Sequence, residues 1–377
     1  MPDRPLPTSH AALLVMYPGR WARTGWVLLA AFFALVLPLM LAGGVLGGRW
    51  THVALDALVF IVGAVGLMLL TGVTGQISIG HAAFLAIGGF TAAVAGLQYG
   101  LPFWIVLPLS GLAAAAVGLL IGPFALRLKG LYLAIVTLGL IFVVQHVLLR
   151  WESVSGGVRG TPVPMWSWFR DPADTEAVGE GFGSTSITVG TLVLGRDIQL
   201  YLVYLVVAAA AIMYARNLMR SRLGRSMAAV GASEIAASSV GIRVGRTKVI
   251  AFALSSFYAG VAGAMYGWKQ SFLTVDPPFG LTMSVEFVAM IFIGGIGTIF
   301  GAVIGAVLFA LGRPLAEQLA ELPFLAGTPL QSGDLTMLLF SIAVITFVIF
   351  EPLGLLGIWL RVKRYFLTWP VPRGGGS

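Results

Sequence analysis

From residue 57 to residue 126 the chain carries not one Asp, Glu, Lys or Arg. A water-soluble domain needs charged side chains on its solvated faces, and a charge-free run of that length leaves it none. In a bilayer the same run suffices for three crossings of about twenty residues each. With 58% of its residues hydrophobic and only 10% charged, the chain reads as an all-α polytopic membrane protein. Its net charge of +8 fits basic cytoplasmic loops facing anionic headgroups of the lipid bilayer, and no nucleic acid is expected as a partner. Cysteine is absent, which removes disulfides, Cys-ligated zinc and a thiol nucleophile.

Apolar windows fall at 26–46, 52–71, 77–97, 102–126, 131–149, 199–215, 249–268, 283–296, 298–312 and 335–359. They predict ten crossings. Only Gly294, Gly295 and Gly297 separate windows eight and nine, so charge must decide between one long helix and two joined by a cytoplasmic glycine turn. As one crossing they would put Arg361, Lys363 and Arg364 opposite the basic stretch 216–248; as two, both basic clusters are cytoplasmic. The same alternation puts Arg127 and Lys129 inside. It puts the loop 150–198 outside, where Glu152, Asp171, Asp174, Glu176, Glu180 and Asp197 outnumber Arg150, Arg159, Arg170 and Arg196. Segment 313–334 also falls outside. Trp151, Trp166, Trp168 and Phe169 of the long loop are expected at the headgroups. The first window follows Arg4, Arg20 and Arg23 but is too long for a signal peptide's apolar region, so it is expected to be retained as a helix. The organisation is then a cytoplasmic arm 1–25, a membrane domain 26–360 and a cytoplasmic tail 361–377.

The stretch 216–248 carries seven cations and one acid, Glu234. Loops between membrane helices are usually short, so about thirty residues of this composition predict a docking surface, beyond what the positive-inside rule requires. Within it Ser233 can N-cap a short helix, Glu234 suits the first turn, and Gly241 supplies a stop.

A second informative stretch, 66–94, joins windows two and three. Gly72 and Gly75 loosen the backbone, and Thr74, Gln76, Ser78 and His81 bring neutral polar groups to the membrane boundary. Irregular backbone at that depth needs protein or a water-filled cavity to satisfy it, which makes the turn a candidate gate. Its small residues serve close helix packing equally well. His81 has no metal-ligand spacing to another His or to an acid, and no metal is expected; a hydrogen-bonded packing role suits it better.

Asp56, Glu286 and Glu351, the acids nearest membrane positions, all sit toward window ends. That argues against an ion-coupled secondary carrier, which needs a midplane site. No His, Asp or Glu cluster of catalytic spacing occurs within the windows, so the chain is not read as an enzyme. None of Lys129, Lys248, Lys269 and Lys363 follows a glycine, so the phosphate-binding loop G-x-x-x-x-G-K-[ST] is missing and ATP hydrolysis would need another subunit.

The segments TGQISIGHAAFLAIGGFTAAV (74–94), RLKGLYLAIVTLGL (127–140), SGGVRG (155–160), the run 224–267 and IGGIGTIFGAVIGA (293–306) together resemble the LivM-type permeases of branched-chain amino acid ABC importers. The resemblance covers roughly residues 52–312. It implies a subunit that pairs with a LivH-type permease, two cytoplasmic ABC ATPases and a periplasmic solute-binding protein, with ATP and Mg2+ held by the partner subunits and no cofactor in this chain. It implies a bacterial inner-membrane location and a fold similar to the vitamin B12-type importer permease. The segment from Ser233 to Gly241 would be the coupling helix, with Glu234, Ala236, Ala237 and Gly241 matching the motif and Arg225 preceding it. Two turns would line the cytoplasmic gate: Thr74, Gly75, Gln76 and Ser78 with His81 following, and Lys129, Gly130 and Tyr132. Related permeases serve urea, short amides or aromatic acids, and the loop 150–198 matches only loosely, so the solute is the open part of the reading.

Overall fold

The computed structural model of the chain describes residues 48–127, 130–166, 187–189 and 192–320, together with 338, 341–342, 345–346, 349, 354–359 and 361. The arm 1–25, the first window 26–46 and the tail beyond 361 lie outside the described residues, as does most of 335–359. The rest is a helical bundle. Its helices are α1 (Gly48–Leu67), α2 (His81–Leu97), α3 (Phe103–Arg127), α4 (Leu131–Arg150) and α5 (Arg196–Arg220). These are followed by α6 (Arg222–Ala232), α7 (Glu234–Ser239), α8 (Val244–Gln270), α9 (Leu281–Gly294) and α10 (Ile299–Ala320). Among the described residues five segments are long and apolar enough to cross a membrane: Gly48–Val73, Phe103–Pro123, Tyr132–Arg150, Arg196–Arg220 and Val244–Gln270. His81–Leu97, Leu281–Gly294 and Ile299–Gly312 are shorter apolar helices.

Windows eight and nine are two helices, as the charge argument requires. Gly295 and Gly297 take φ of 127° and 79° between them, a region only glycine enters freely, so the turn cannot be continued as helix. Helix ends differ from the windows. Helix α5 extends past 199–215 on both sides and takes Arg196 and Asp197 out of the external loop. Helix α10 runs to Ala320, through Pro314, beyond the end expected at 312. Hydropathy marks where apolar side chains stop, whereas Leu315, Ala316, Glu317, Gln318 and Leu319 are good helix formers that carry the backbone on.

Helix α8 is the centre of the bundle, lying against α1, α2 and α3. A Cβ on Gly88 of α2 would overlap the backbone of Gly260, and one on Gly263 would overlap the Leu85 carbonyl. Gly260 meets the Ser110 carbonyl of α3 on its other side. Main chains therefore touch across three helices, as small residues permit where lipid supplies no hydrophobic drive for association. Between α1, α9 and α10 the fit is aromatic: Phe60 meets Phe287 and Phe309 edge to face at centroid distances of 5.8 and 5.5 Å.

The connections collect alternately at the two ends. At one end Phe103 N donates to Trp166 O at 2.7 Å and Gln98 to Ser153 O at 2.8 Å. There the two-residue strands β1 (Thr161–Pro162) and β4 (Phe272–Leu273) also pair, and Val163 N donates to Ser271 O at 2.8 Å. A hairpin of β2 (Ile187–Val189) and β3 (Leu192–Leu194) precedes α5. SGGVRG is a compact knot on the end of α4: Gly156, Gly157 and Gly160 all have positive φ, and Ser155 Oγ donates to Leu148 O at 2.5 Å. Trp166 is not at the headgroups. It is buried, its Nε1 donating to Gly96 O at 2.9 Å, because a tryptophan whose N–H finds a carbonyl inside needs no interface. Trp151 is exposed; Trp168 and Phe169 lie outside the described residues.

This end also holds an intramembrane ion pair, Lys269 Nζ to Asp56 Oδ1 at 2.5 Å, with both side chains nearly buried. Beside it Arg196 Nη2 donates to Trp268 O at 2.9 Å and to Ser271 Oγ at 2.6 Å, closing the C-terminus of α8.

Candidate functional site

Helix α1 does not end cleanly. It widens into a π-helical turn, Met68–Val73, a deformation often found at functional sites. The carbonyls it would leave unpaired are taken up locally. Thr74 Oγ1 donates to Leu70 O at 2.5 Å, Gln76 N donates to the same oxygen at 3.2 Å, and Thr71 Oγ1 donates to Gln76 O at 3.1 Å. Gly75, at φ 68°, reverses the chain. The start of α2 is then fixed from two other helices, since Ile79 N donates to Thr137 Oγ1 of α4 at 3.0 Å and Ala82 N to Ser284 Oγ of α9 at 2.9 Å. Irregular backbone at the membrane boundary is thus satisfied by protein.

The basic loop folds into two helices, and the first was not legible in the sequence. Helix α6 turns Gly224, Met227 and Val230 inward and Arg222 and Arg225 outward, with Arg225 Nη1 donating to Arg220 O at 2.7 Å. Helix α7 is capped as the sequence predicts. Ser233 Oγ accepts from Ala236 N at 3.3 Å. At the other end Gly241, at φ 82°, donates to Ser238 O, and Ile242 N donates to Ala237 O, both at 3.0 Å. That pair of bonds is a complete Schellman ending.

The faces of α7 differ from the expectation that Ala237 docks outward. Ala237 is 2% exposed and seats the helix on its own chain, whereas Ile235 and Val240 are 84% and 75% exposed. Ala236, Ser238 and Ser239 share the outer face. Two apolar side chains standing in water within a basic loop were the missed signal. The burial of Ala237 follows from the Schellman ending, which folds Ile242 back over that residue.

The structure brings the turn at 72–78, the basic loop and the glycine turn at 294–297 to one place. A Cβ on Gly72 would lie 2.5 Å from Gly297 N, so these two backbones are in contact. On the other side Gly75 lies against Gly231, the penultimate stretch of α6, which itself abuts the Val73 carbonyl. A third link runs through α8: Gln76 Nε2 donates to Lys248 O at 3.3 Å, and Lys248 Nζ donates to Glu234 Oε1 at 2.6 Å. Gly231 and Lys248 were not singled out by sequence reasoning. A glycine between Val230 and Ala232 and a lysine near a helix start carry no signal until the neighbouring turn is in place.

Thr74, Gln76, Ser78 and His81 are buried, and the outward groups of this turn are Gly75 and Ile77. His81 Nε2 lies 3.0 Å from Gly63 O, which can only accept, so that nitrogen carries the proton; the ring meets Phe287 edge-on at 5.0 Å. It is a packing residue in this geometry. Across from the turn, Gly130 opens α4 at φ 57° with no atom near its missing Cβ, and Tyr132 is exposed. Lys129 lies outside the described residues. Gly294 abuts the Gly301 backbone of α10. Ser78→Cys is expected to resist a maleimide that readily modifies Ile77→Cys, since Ser78 is buried and Ile77 exposed. Equal reaction rates would show the turn to be open.

Apolar helices that touch through their backbones, five of them long enough among the described residues to cross a bilayer, define a multi-span membrane protein. The chain belongs to the family described as Branched-chain amino acid transport system / permease component, which it matches over residues 49–349. It is similar to the high-affinity branched-chain amino acid transport system permease protein LivM of Salmonella typhimurium, with 35% identity covering 71% of this chain and 64% of that protein. It is similar also to LivM of Escherichia coli, with 34% identity covering 77% of this chain and 69% of the relative. The autoinducer 2 import system permease protein LsrC of an Enterobacter species is 29% identical over 53% of each chain. The matched part thus spans just under two thirds of the first of these relatives. No solved structure matches the chain.

Proposed function

We propose that this chain is the transmembrane permease subunit of an ATP-driven importer and forms half of the translocation path for branched-chain or related amino acids. The observation that carries the proposal is the meeting of three segments at one end: the turn at 72–78, the loop bearing α6 and α7, and the glycine turn at 295–297. A soluble motor that grips α7 from outside would there act directly on the turn that closes the path. Arg225, Ser233, Glu234, Ala236 and Gly241 form or support the gripped surface, with Ile235 and Val240 as its apolar contacts; Ala237 holds α7 in place. The gate comprises Thr74, Gly75, Gln76 and Ser78 on one side and Lys129, Gly130 and Tyr132 on the other, with His81 as its internal brace.

The partners in this reading are a LivH-type permease, two cytoplasmic ABC ATPases that bind ATP and Mg2+, and a periplasmic solute-binding protein. The names borne by the LivM relatives favour a branched-chain amino acid as solute. A path walled by Gly, Ala, Ser, Thr and Gln side chains suits a zwitterion without fixed charge of its own. Ten crossings in a vitamin B12-type arrangement, with both termini in the cytoplasm of a bacterial inner membrane, complete the proposal.

Uptake of radiolabelled L-leucine by the complex in proteoliposomes loaded with ATP tests the function. Uptake that depends on internal ATP and is competed by isoleucine and valine is expected; competition by urea or benzoate instead would reassign the solute. Orientation is tested on the same cysteine-free background. Val240→Cys should label only from the cytoplasm and Tyr99→Cys only from outside, both positions being well exposed. Labelling of both from one side would overturn the alternation of ends.

A further inference from the structure

We propose that Lys248 is the joint through which movement of α7 reaches the gate turn, a positioning role that rests on the importer reading above. Among the described residues whose burial is known, only Asp56 and Lys248 combine an ionisable Asp, Glu, Lys or Arg side chain with a buried position. Lysine is almost never buried without a partner. The partner here is Glu234, at 2.6 Å on the first turn of α7, and the burial is lopsided: 7% exposure for the Lys248 side chain against 39% for Glu234. The lysine belongs to the bundle and its counter-charge to a six-residue surface helix.

That asymmetry turns an ion pair into a tether. If α7 shifts and α8 does not follow, the ammonium is left buried without its counter-charge, which is strongly unfavourable, whereas displacement of the two together conserves the pair. The first turn of α8 must then travel with α7. The backbone of the same residue carries the motion onward, because Lys248 O accepts from Gln76 Nε2 at 3.3 Å. Gln76 Nε2 also donates to Thr74 Oγ1 at 3.3 Å, and Thr74 closes the π-helical turn through Leu70 O. The oxygen of the same amide, Gln76 Oε1, is buried and accepts no hydrogen bond from the protein. Gly231 against Val73 gives a parallel backbone stop that limits how far the turn can move without α6.

The test uses the assembled complex with its ATPases in proteoliposomes, reading L-leucine transported per ATP hydrolysed. Lys248→Met alone leaves Glu234 solvated and Lys248 gone. Glu234→Gln with Lys248→Met leaves no buried charge and keeps the fold unburdened. In Lys248→Met, which leaves the gripped surface of α7 untouched, the ATPase is expected to remain bound and active, and in both variants leucine moved per ATP hydrolysed falls at least about ten-fold, the size of effect expected when a coupling contact worth one decade is removed. Glu234→Lys with Lys248→Glu should recover most of the coupling. A purely structural pair predicts the opposite for the doubly neutral variant, which would then couple as the wild type does, and that result would overturn the proposal. Failure of the importer reading has its own signature: the wild-type complex would show no ATP-driven uptake at all.

Discussion

Lys269→Met lowers the stability of the detergent-solubilised protein by about 3–5 kcal/mol, the usual consequence of removing one member of a buried ion pair. Asp56 would be left as an unpaired carboxylate between α1 and α8, where the pair is nearly sealed at 2.5 Å. Asp56→Leu combined with Lys269→Met should restore most of the loss, because two well-packed apolar side chains replace two desolvated charges without penalty. Equilibrium unfolding in mixed micelles, followed by tryptophan fluorescence, measures both. If the single and double variants were equally unstable, the site would depend on shape and not on charge. The pair sits far along α8 from the turn at 72–78, so leucine transported per ATP should be unchanged in the double variant.

The second large effect is steric. Gly260→Val should abolish accumulation of folded protein, since its Cβ would meet Ser110 O of α3 and the Ala114 side chain at 2.4 and 2.6 Å respectively, with the Gly111 backbone at 3.1 Å. Overpacking a tight core costs about 1–3 kcal/mol where neighbours can relax, and here two of the three nearest atoms belong to the main chain of α3. Gly139→Ala provides the contrast. No atom lies within reach of its added methyl, and alanine favours helix over glycine by about 1 kcal/mol. Size-exclusion profiles of the fluorescently tagged chain distinguish the two; a monodisperse peak of normal height for Gly260→Val would mean that α3 and α8 stand further apart than described.

The sequence was most legible where chemistry is local. Ser233 and Gly241 announce the two ends of α7 because a cap is a bond between residues three or four apart. The glycines at 294–297 announce a break for the same reason. Charge alternation correctly separated α9 from α10, since a soft glycine boundary becomes decisive when basic clusters must lie on one side. Orientation was far less legible. In a bilayer both the packed and the lipid-facing sides of a helix are apolar, so periodicity does not say which way a residue looks, and Trp166 was expected at a surface it does not reach. Gln76 and Ser78 were read as neutral polar groups at a mouth, but their bonds are to Lys248, Thr74 and Gly80. Partners 172 residues apart, as Gln76 and Lys248 are, leave no trace in local spacing. Helix α6 was missed because its inward face of Gly224, Met227 and Val230 is too short and too weakly apolar to stand out among arginines.

The two ends of the bundle are joined by different kinds of fastening. Around residues 96–103, 151–166 and 268–273 the chain is stitched by directed hydrogen bonds among loops, two short strands and a buried indole. Around Gly72, Gly231 and Gly297 bare backbones rest against one another, tied across by the chain of contacts from Gln76 through Lys248 to Glu234. Directed bonds resist sliding, and smooth contacts permit it. On the importer reading, the molecule would work like a pair of tongs riveted at one end: force applied at the end of the glycine contacts would be converted into displacement there, while the hydrogen-bonded end would hold its shape.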